Sequence, residues 1–592
     1  MDKAAIAKAL EEIGTLLELK DENPFKIRAY SNAARSIEAW GGNVSDLQDE
    51  EALAKIPGIG KAIAAKVKEL AATGALKYLS ELRAEFPPAI LQLFSISGLG
   101  AKKIKALHEQ LHINSIEELQ NACKAGRVAQ LPGFGETTQA KICHEIEQRA
   151  QHVGSFQLGQ IAGEAETLLA ELKNNSAVLR AELAGSYRRR KEIVRDLDYI
   201  VATKEPEIIT QWLVSHPFVE SVIAQGTTKT SVRLRSGIQC DLRVVALAEY
   251  PFALNYFTGS KEHNIEMRNR ALKRGWTLNE YRLAPLPAES ASSKKKRKKP
   301  TTEKVPSIQD ETELYSALDL DYVPPELREN CGEFEAAENH TLPRLIEKEN
   351  LRGTFHCHTT ASDGHNTLEE MAAAAQELGL GYLGVAEHSR SSIQAHGLDE
   401  VKLRAQMQRI KELNKQFDGF RLFAGIECDI LRDGSLDFPD EILAQLDFVV
   451  ASVHSVFNLE EAEMTRRVIR AIQNPFVTIL AHPTGRLLLK RDAYAIDIPA
   501  VLDAAAASGT WVELNAAPKR LDLDWRWWPL AKQKGVKCVI DPDAHRTERL
   551  QDLWFGIGAA RKGWLTKTDV VNCLPLGKIE MALREKRARK KL

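Results

Sequence analysis

Residue types that bind metal ions follow apolar stretches repeatedly between residues 350 and 575. His356 and His358 are two positions apart after one such stretch, and Asp543 and His545 repeat that spacing in CVIDPDAH. Residues i and i+2 of a strand share one face, so each pair can serve one site. The full set is His356, His358, Asp363, His388, Glu427, His454, His482, Asp543 and His545. Imidazole and carboxylate without thiolate favour Zn²⁺, Mn²⁺ or Fe²⁺, and phosphoester hydrolysis is the expected reaction.

A second group combines a Gly-Ser turn with three aspartates. Asp196 and Asp198 lie at i and i+2 where an apolar strand begins, and Asp241 begins another apolar run. Carboxylates buried together are unfavourable without a cation, and oxygen ligands suit Mg²⁺. This spacing predicts a two-metal site for phosphoryl transfer. Asp241 would act as base or ligand, while Gly185, Ser186 and Arg189 in the preceding turn would hold a triphosphate.

One short pattern recurs three times in the first 150 residues. Its copies are IPGIG, ISGLG and LPGFG, each followed by a helix-like segment. Glycines allow a tight turn and close approach, and the helix that follows points free N–H groups at an anion. A DNA phosphate suits this socket. The residues concerned are Gly58, Gly60, Gly98, Gly100, Gly133 and Gly135.

The texture of the chain divides it into regions. Short amphipathic helices are expected in residues 1–150, and mixed helices and strands follow to about residue 285. Residues 284–310 are rich in Pro, Ser and Lys, so we expect a flexible basic loop there. From about residue 350, short apolar strands alternate with helices, which predicts a parallel α/β domain. Ligand residues at the ends of those strands indicate a barrel whose carboxyl ends form one site.

Composition excludes several classes of protein. With 592 residues the chain must form several domains, and no apolar stretch reaches membrane-spanning length. The eight cysteines are scattered without a CxxC pair, so we expect a reducing, cytoplasmic location and no membrane. The net charge is −1, so any DNA contact must come from positioned groups.

Residues 183–201, 240–245 and 255–281 resemble the nucleotidyltransferase core of family X DNA polymerases, the group that contains polymerase beta. The resemblance implies that Tyr256, Phe257 and Gly259 line the nucleotide sugar. It also implies that Asn264 contacts the incoming base and Arg268 the template side. The family's lyase lysine aligns with Lys66, for which DNA contact is expected without lyase chemistry. Arg195 replaces a glycine of the vertebrate members.

The nine ligand-type residues resemble those of the PHP domain, a distorted barrel of about seven strands that holds up to three metal ions. The resemblance implies Mn²⁺ or Zn²⁺, and all nine positions are ligand-competent, so we expect an active site. Arg520, after the segment Glu513–Asn515, is either a phosphate ligand or part of a surface salt bridge.

Together these observations predict a helix-hairpin-helix region, an α+β palm and thumb, and a C-terminal (β/α)7 PHP barrel. The expected boundaries are 1–85 (lyase-like), 86–152 (fingers-like), 153–250 (palm), 251–335 (thumb), 336–350 (linker), 351–578 (PHP) and 579–592 (basic tail). The architecture resembles bacterial and archaeal family X polymerases. It implies a monomer that fills short gaps in primed or gapped DNA with dNTPs, using Mg²⁺ or Mn²⁺, and degrades DNA 3′→5′. Two alternatives stay open: a PHP nuclease whose polymerase core only binds DNA, and a small-molecule phosphatase.

Overall fold

The computed structural model describes residues 3–39, 53, 56, 58–96, 99–286 and 304–588. The chain forms two compact units, residues 1–153 and residues 154–592. The predicted hairpin residue Gly98, the lysine-rich run 294–299 and residues 589–592 of the predicted tail lie outside the described residues.

The first unit is helical in its described part. Its helices are α1 (Lys3–Leu19), α2 (Pro24–Ala39), α3 (Lys61–Thr73), α4 (Lys77–Ala84), α5 (Ala101–Leu111), α6 (Ile116–Lys124) and α7 (Gly135–His152). Apolar residues at helical spacing, such as Ile6, Leu10, Ile13 and Leu17, are buried as predicted. A single hydrophobic cluster runs from Ile6 to Ile146, so the predicted boundary at 85/86 falls inside one shared core.

The predicted palm is a five-stranded mixed sheet with helices packed against it. Strands β1 (Phe156–Gln157) and β3 (Ile193–Val194) form a separate pair. The main sheet has the order β2 (Val178–Leu183), β4 (Asp196–Thr203), β7 (Gln239–Val245), β6 (Lys229–Leu234) and β5 (Val219–Gln225). Its helices are α8 (Leu158–Asn174), α9 (Gly185–Arg188) and α10 (Pro206–Val214). Because β4 and β7 are parallel neighbours, their amino ends lie side by side.

The predicted thumb consists of α11 (Tyr250–Thr258), α12 (Lys261–Lys273), the hairpin β8 (Trp276–Leu278) and β9 (Leu283–Pro285), α13 (Glu311–Ser316) and α14 (Glu333–Glu338). The Ser260 hydroxyl accepts a hydrogen bond from the N–H of His263 and so caps α12. Buried His263 contacts Glu333 and Tyr315, which ties α12 to the later helices.

The C-terminal region is a parallel seven-stranded sheet in sequence order, as predicted. Its strands are β10 (Gly353–Thr354), β11 (Tyr382–His388), β12 (Arg421–Asp429), β13 (Val450–Ser452), β14 (Ile479–Leu480), β15 (Trp511–Asn515) and β16 (Cys538–Asp541). A bridge between Cys357 and Ala544 joins the first and last strands beyond their ends and nearly closes the barrel. Phe355, Phe423 and Phe448 fill its interior.

Helices pack around the barrel; those before β16 lie between successive strands, and the last two follow β16. These helices are α15 (Leu368–Glu377), α16 (Glu400–Leu413), α17 (Asp440–Leu443), α18 (Glu461–Ile472), α19 (Ile498–Ser508), α20 (Trp528–Gln533), α21 (Leu553–Lys562) and α22 (Leu576–Ala588). Thr367 and Glu370 form a reciprocal capping box at the start of α15.

Three predicted boundaries differ from the structure. The expected linker 336–350 is packed, because Leu345 and Ile346 are buried. The expected loop 284–310 overlaps β9 and includes buried Ile308. The expected tail from residue 579 begins inside α22, where Ile579 and Leu583 pack against the barrel. In each case isolated apolar residues within a polar stretch anchor the segment.

Among the helices of the described ranges, none combines the length and apolar character needed to cross a membrane.

Candidate functional site

The carboxyl ends of the barrel strands bring all nine predicted ligand residues together. Glu427 of β12 lies at the centre and is only 1% exposed. Its carboxylate oxygens are 2.8 Å from His388 Nδ1, 3.1 Å from His454 Nε2 and 3.0 Å from His482 Nε2. Strand ends place these side chains, so the predicted convergence is present.

Eight of the nine residues fall into three overlapping sets of potential metal ligands. Potential ligand atoms of His358, Asp363, His388 and His545 lie within 4.8 Å of one another, as do those of His356, His358 and Asp543. A third such set contains His388, Glu427 and His454. Because His358 and His388 each belong to two sets, the arrangement fits a cluster of adjacent cations.

Charge coupling shifts the pKa values across this cluster. Burial by itself would raise the pKa of Glu427, but surrounding histidines outweigh it and hold that pKa well below its usual range. Burial and the neighbouring His545 and His388 lower the pKa of His358 to about 3. Burial opposes protonation of His454 too, yet Glu427 and Asp429 raise its pKa to about 10.

A second layer of carboxylates, which sequence reasoning missed, orients the histidines. Glu513 Oε1 lies 2.6 Å from His356 Nδ1, and its other oxygen accepts a hydrogen bond from the His482 backbone N–H. Asp429 is 2.5 Å from His454 Nδ1. Asp429 ends the strand segment ECD, and Glu513 lies in the strand segment WVEL. An acidic residue in an apolar strand was the signal that could have identified both. Such partners fix the ring orientation of a metal-binding histidine.

Unpartnered buried atoms show that this cluster suits metal ions. His356 Nε2, both ring nitrogens of His358 and one oxygen of Glu427 are buried without a hydrogen-bond partner. Burial of such atoms is costly unless something else satisfies them. Nitrogen and oxygen donors without sulfur fit Mn²⁺ or Zn²⁺.

The three aspartates form a second centre on paired strands of the palm. Asp198 of β4 lies directly opposite Asp241 of β7, and Asp196 is two residues before Asp198. Burial, then repulsion from Asp196 and Asp241, raises the pKa of Asp198 to about 7. Burial and Asp241 likewise raise the pKa of Asp196. Burial and carboxylate repulsion thus raise the pKa values of Asp196 and Asp198, and a divalent cation would stabilise such a site.

Three neighbouring side chains lower the pKa of Asp241. Lys229 Nζ lies 2.7 Å from Asp241 Oδ2, and the Gln239 side-chain amide donates to Oδ1 over 3.0 Å. Burial alone would raise the pKa of Asp241, but these donors and Ser231 lower it. Lys229 lies on β6 and was not found from the sequence, because only strand order places it beside β7.

Close packing explains the glycine before Ser186. Gly185 has φ +61°, and an ideal Cβ there would lie 2.4 Å from Asp198 Oδ2. Both the backbone conformation and the contact therefore require glycine. Ser186 follows in the first turn of α9 and is half-buried.

The other predicted nucleotide-binding residues surround the end of α11. Arg189 donates to the carbonyl oxygen of Thr258 and pairs with Glu329 at 3.1 Å. The rings of Tyr256 and Phe257 meet edge to face at 5.0 Å. At Gly259, an added Cβ would lie 3.2 Å from Arg189 Nη1. The Asn264 side chain donates to the Tyr256 carbonyl oxygen, and Arg268 is exposed.

The hairpins of the first unit have the predicted geometry where they are described. Gly58 and Gly133 adopt φ +82° and +84°, and Gly135, at φ +63°, begins α7. Gly60 and Gly100 are the N-caps of α3 and α5. Lys66 on α3 is half-buried, with its ammonium 4.8 Å from the centre of the Tyr78 ring and 6.0 Å from that of Tyr30. Lys66 is therefore packed against two aromatic rings, and its contact with DNA stays a prediction.

Comparison with known proteins identifies the regions. Family models match as follows: Helix-hairpin-helix domain, residues 1–76; SAM-like helix-hairpin-helix tandem, 90–148; DNA polymerase beta thumb, 253–329; PHP domain, 354–515. A protein of Bacillus subtilis (strain 168) named DNA polymerase/3′-5′ exonuclease PolX is 37% identical over 586 residues, covering 99% of this chain and 100% of that protein.

The chain belongs to the family X DNA polymerases that carry a PHP domain.

This family X polymerase also resembles smaller proteins over part of its length. A probable phosphatase of Thermoanaerobacter sp. (strain X514) is 30% identical over 39% of the chain and 94% of that protein. A probable phosphatase of Caldicellulosiruptor saccharolyticus is 34% identical over 32% of the chain and 78% of that protein. The predicted multidomain fold and family are confirmed.

Proposed function

We propose that this family X polymerase extends DNA primers at the three-aspartate centre. We propose that it removes 3′-terminal nucleotides at the nine-residue cluster at the carboxyl ends of the barrel strands, which we call the barrel cation centre. The observation that carries the proposal is the presence of both cation-binding clusters within one compact unit. Short gaps in DNA under repair and dNTPs are the proposed substrates. Divalent cations, Mg²⁺ or Mn²⁺ in the palm and Mn²⁺ or Zn²⁺ in the barrel, would supply charge neutralisation and an activated nucleophile when bound.

In the palm, the chain's own groups divide the work. Asp196 and Asp198 supply carboxylate oxygens from one face of β4, and Asp241 faces them from β7. Gly185 leaves room for Asp198, and Ser186 and Arg189 would hold the triphosphate in this proposal. Tyr256 and Phe257 form the wall beside the sugar, while Asn264 and Arg268 would face the base pair. These roles follow from the matching family positions.

In the barrel, the nine ligand-type residues would hold the cations, and Glu513 and Asp429 fix two of the histidine rings. Arg520 Nε lies 3.4 Å from Asp543 and is 13% exposed, so it is placed to donate to a phosphate beside the ligands. The same contact is an ion pair, but a largely buried one rather than the surface salt bridge that the sequence left as an alternative.

The glycine hairpins supply the DNA contact in this proposal. Gly60 and Gly100 leave the first N–H groups of α3 and α5 without side-chain caps, and such groups bind phosphate oxygens without reading sequence. A monomeric state and a cytoplasmic location remain predictions.

A gapped duplex with a labelled primer 3′ end tests the proposal. Wild-type protein, Asp198→Ala, and the double variant His356→Ala/His358→Ala would be incubated with Mn²⁺ or Mg²⁺, with and without dNTPs. Extension lost only in the aspartate variant, together with shortening lost only in the histidine variant, would establish two separate centres. Wild-type protein that does neither would refute the proposal.

One observation favours a second candidate, in which the palm only binds DNA. Arg195 immediately precedes Asp196, where vertebrate relatives carry glycine, and its charge acts on that carboxylate. If Arg195 disables synthesis, wild-type protein will shorten the primer but not extend it, and Arg195→Gly will restore extension.

A further inference from the structure

A cavity of about 420 Å³ opens beside the barrel cation centre, a volume typical of ligand sites. His454 and Arg520 line it and also belong to the centre, where His454 contacts Glu427 and Arg520 contacts Asp543. The cavity is therefore continuous with the place where a phosphodiester would be cleaved.

The cavity carries a strong local positive charge. Lys490, Arg491 and Lys519 line it together with Arg520, and none of the described residues around it is acidic. From outside the lining, Asp522 acts on Arg491, Asp552 on Lys519 and Asp543 on Arg520. Four cations in one concave site, in a protein of net charge −1, favour a polyanionic ligand.

Arg491 is held ready for such a ligand. Its Nε and Nη2 both donate to the carbonyl oxygen of Gly485, at 3.0 and 2.7 Å. Its guanidinium also lies 4.3 Å from the centre of the Phe457 ring. These contacts fix the group in place, so that little side-chain entropy is lost when a phosphate binds.

The palm supplies one wall of this cavity. Gln157 and Gln160, at the start of α8, line it from the polymerase side. The buried Gln157 side chain donates to the Leu488 carbonyl over 2.7 Å, which fastens α8 to the loop that carries Lys490 and Arg491. The nuclease site is thus completed by the polymerase core.

We propose that this cavity binds the backbone phosphate immediately 5′ of the scissile one in a DNA strand whose 3′ end lies in the barrel centre. The inference rests on the proposed nuclease function. A terminal nucleoside has no further phosphate, so a four-cation cavity suits the upstream side of the cleaved bond. A substrate with a single phosphate would then bind at the metal ions of the barrel cluster without contacting Lys490 or Lys519.

The test compares Lys490→Glu/Lys519→Glu with wild-type protein on a 5′-labelled single-stranded oligonucleotide in Mn²⁺. We expect kcat/KM to fall about tenfold or more, and its dependence on salt to weaken by about one unit of slope per lost contact. Hydrolysis of bis(p-nitrophenyl) phosphate, which has a single phosphate, should stay within about twofold, since it reports on the cation centre.

A matched control separates this effect from general repulsion of DNA. Lys415 is exposed and precedes β12, at the opposite end of that strand from Glu427. Lys415→Glu should degrade the oligonucleotide like wild type. An equal loss in this variant would overturn the proposal.

A chemical probe locates the phosphate. One neutral methylphosphonate linkage placed immediately 5′ of the scissile bond should slow wild-type protein but have little further effect on the double variant. Independent, additive losses would overturn the proposal, as would a double variant equal to wild type. Failure of the nuclease function itself would differ, because wild-type protein would then not shorten the unmodified oligonucleotide.

Discussion

The ammonium nitrogen of Lys562, on helix α21 of the barrel, lies 2.5 Å from a carboxylate oxygen of Glu329 in the thumb. Lys562 is completely buried, and it also donates to the backbone carbonyl of Arg189 over 3.2 Å. Glu329 in turn pairs with the Arg189 side chain. A barrel residue thereby helps to orient the palm arginine that we propose holds the nucleotide triphosphate.

Lys562→Met should destabilise the protein and weaken primer extension. Without the Lys562 ammonium, the largely buried Glu329 carboxylate has fewer groups that offset its charge. We expect the free energy of unfolding to fall by about 3 kcal/mol. Urea denaturation would measure the free energy of unfolding, and gap filling would measure the KM for dNTP. Lys532→Met is the control, since Lys532 pairs with Asp569 at a site where the lysine is 38% exposed, and we expect a change below about 1 kcal/mol. Equal effects of the two substitutions would contradict the prediction.

Gly185→Ala should slow primer extension about a hundredfold while leaving nuclease activity intact. The added methyl group would meet Asp198, and a displacement of about 1 Å at a reacting centre can cost about a hundredfold in rate. Single-turnover extension measures the effect. Gly163→Ala, on helix α8 with open space around it, should extend primers normally. Activity of Gly185→Ala within a few-fold of wild type would show that the glycine is not required.

Glu311 should contribute to stability in a manner that depends on pH. Burial would raise its pKa, but Arg328 and Arg188 outweigh burial and lower the pKa to about 2, from an ordinary value of 4.5. A lowered pKa stabilises the fold above about pH 4.5, and that contribution disappears as pH falls through about 2. Its size at neutral pH is roughly 3 kcal/mol.

Comparison of Glu311→Gln with wild type from pH 7 down to the acid limit of folding would measure this contribution. The difference in unfolding free energy should be constant above about pH 5 and shrink below it. Glu369→Gln serves as control, because Glu369 and its partner Arg409 are 44% and 54% exposed. A difference for Glu311→Gln that does not change with pH would refute the assignment.

Glu513→Gln should weaken metal binding in the barrel by about 10- to 100-fold, because a neutral amide holds the His356 ring less firmly. Calorimetric titration of the metal-stripped protein with Mn²⁺ measures the affinity directly. Glu441→Gln, at an exposed position on α17, should bind Mn²⁺ like wild type. Unchanged affinity in Glu513→Gln would mean that this carboxylate does not support the site.

The residues that form both centres could be predicted from residue type and spacing alone. Ligand-type residues at the ends of apolar stretches predicted the barrel and its nine-residue cluster, because parallel strands bring their carboxyl ends to one edge. The i, i+2 spacing of Asp196 and Asp198 predicted their shared face, and the glycine repeats predicted the hairpins.

The residues that contact and orient those predicted ligands are set by the tertiary structure. Lys229 reaches Asp241 only because β6 lies beside β7, and Glu513 reaches His356 across 157 residues of chain. Strand order and domain packing, rather than local spacing, set such contacts. The packing of the palm against the barrel likewise placed Gln157 against Leu488 and Lys562 beside Glu329. Local propensities act over a few residues, whereas these relationships depend on how complete layers bury their apolar faces.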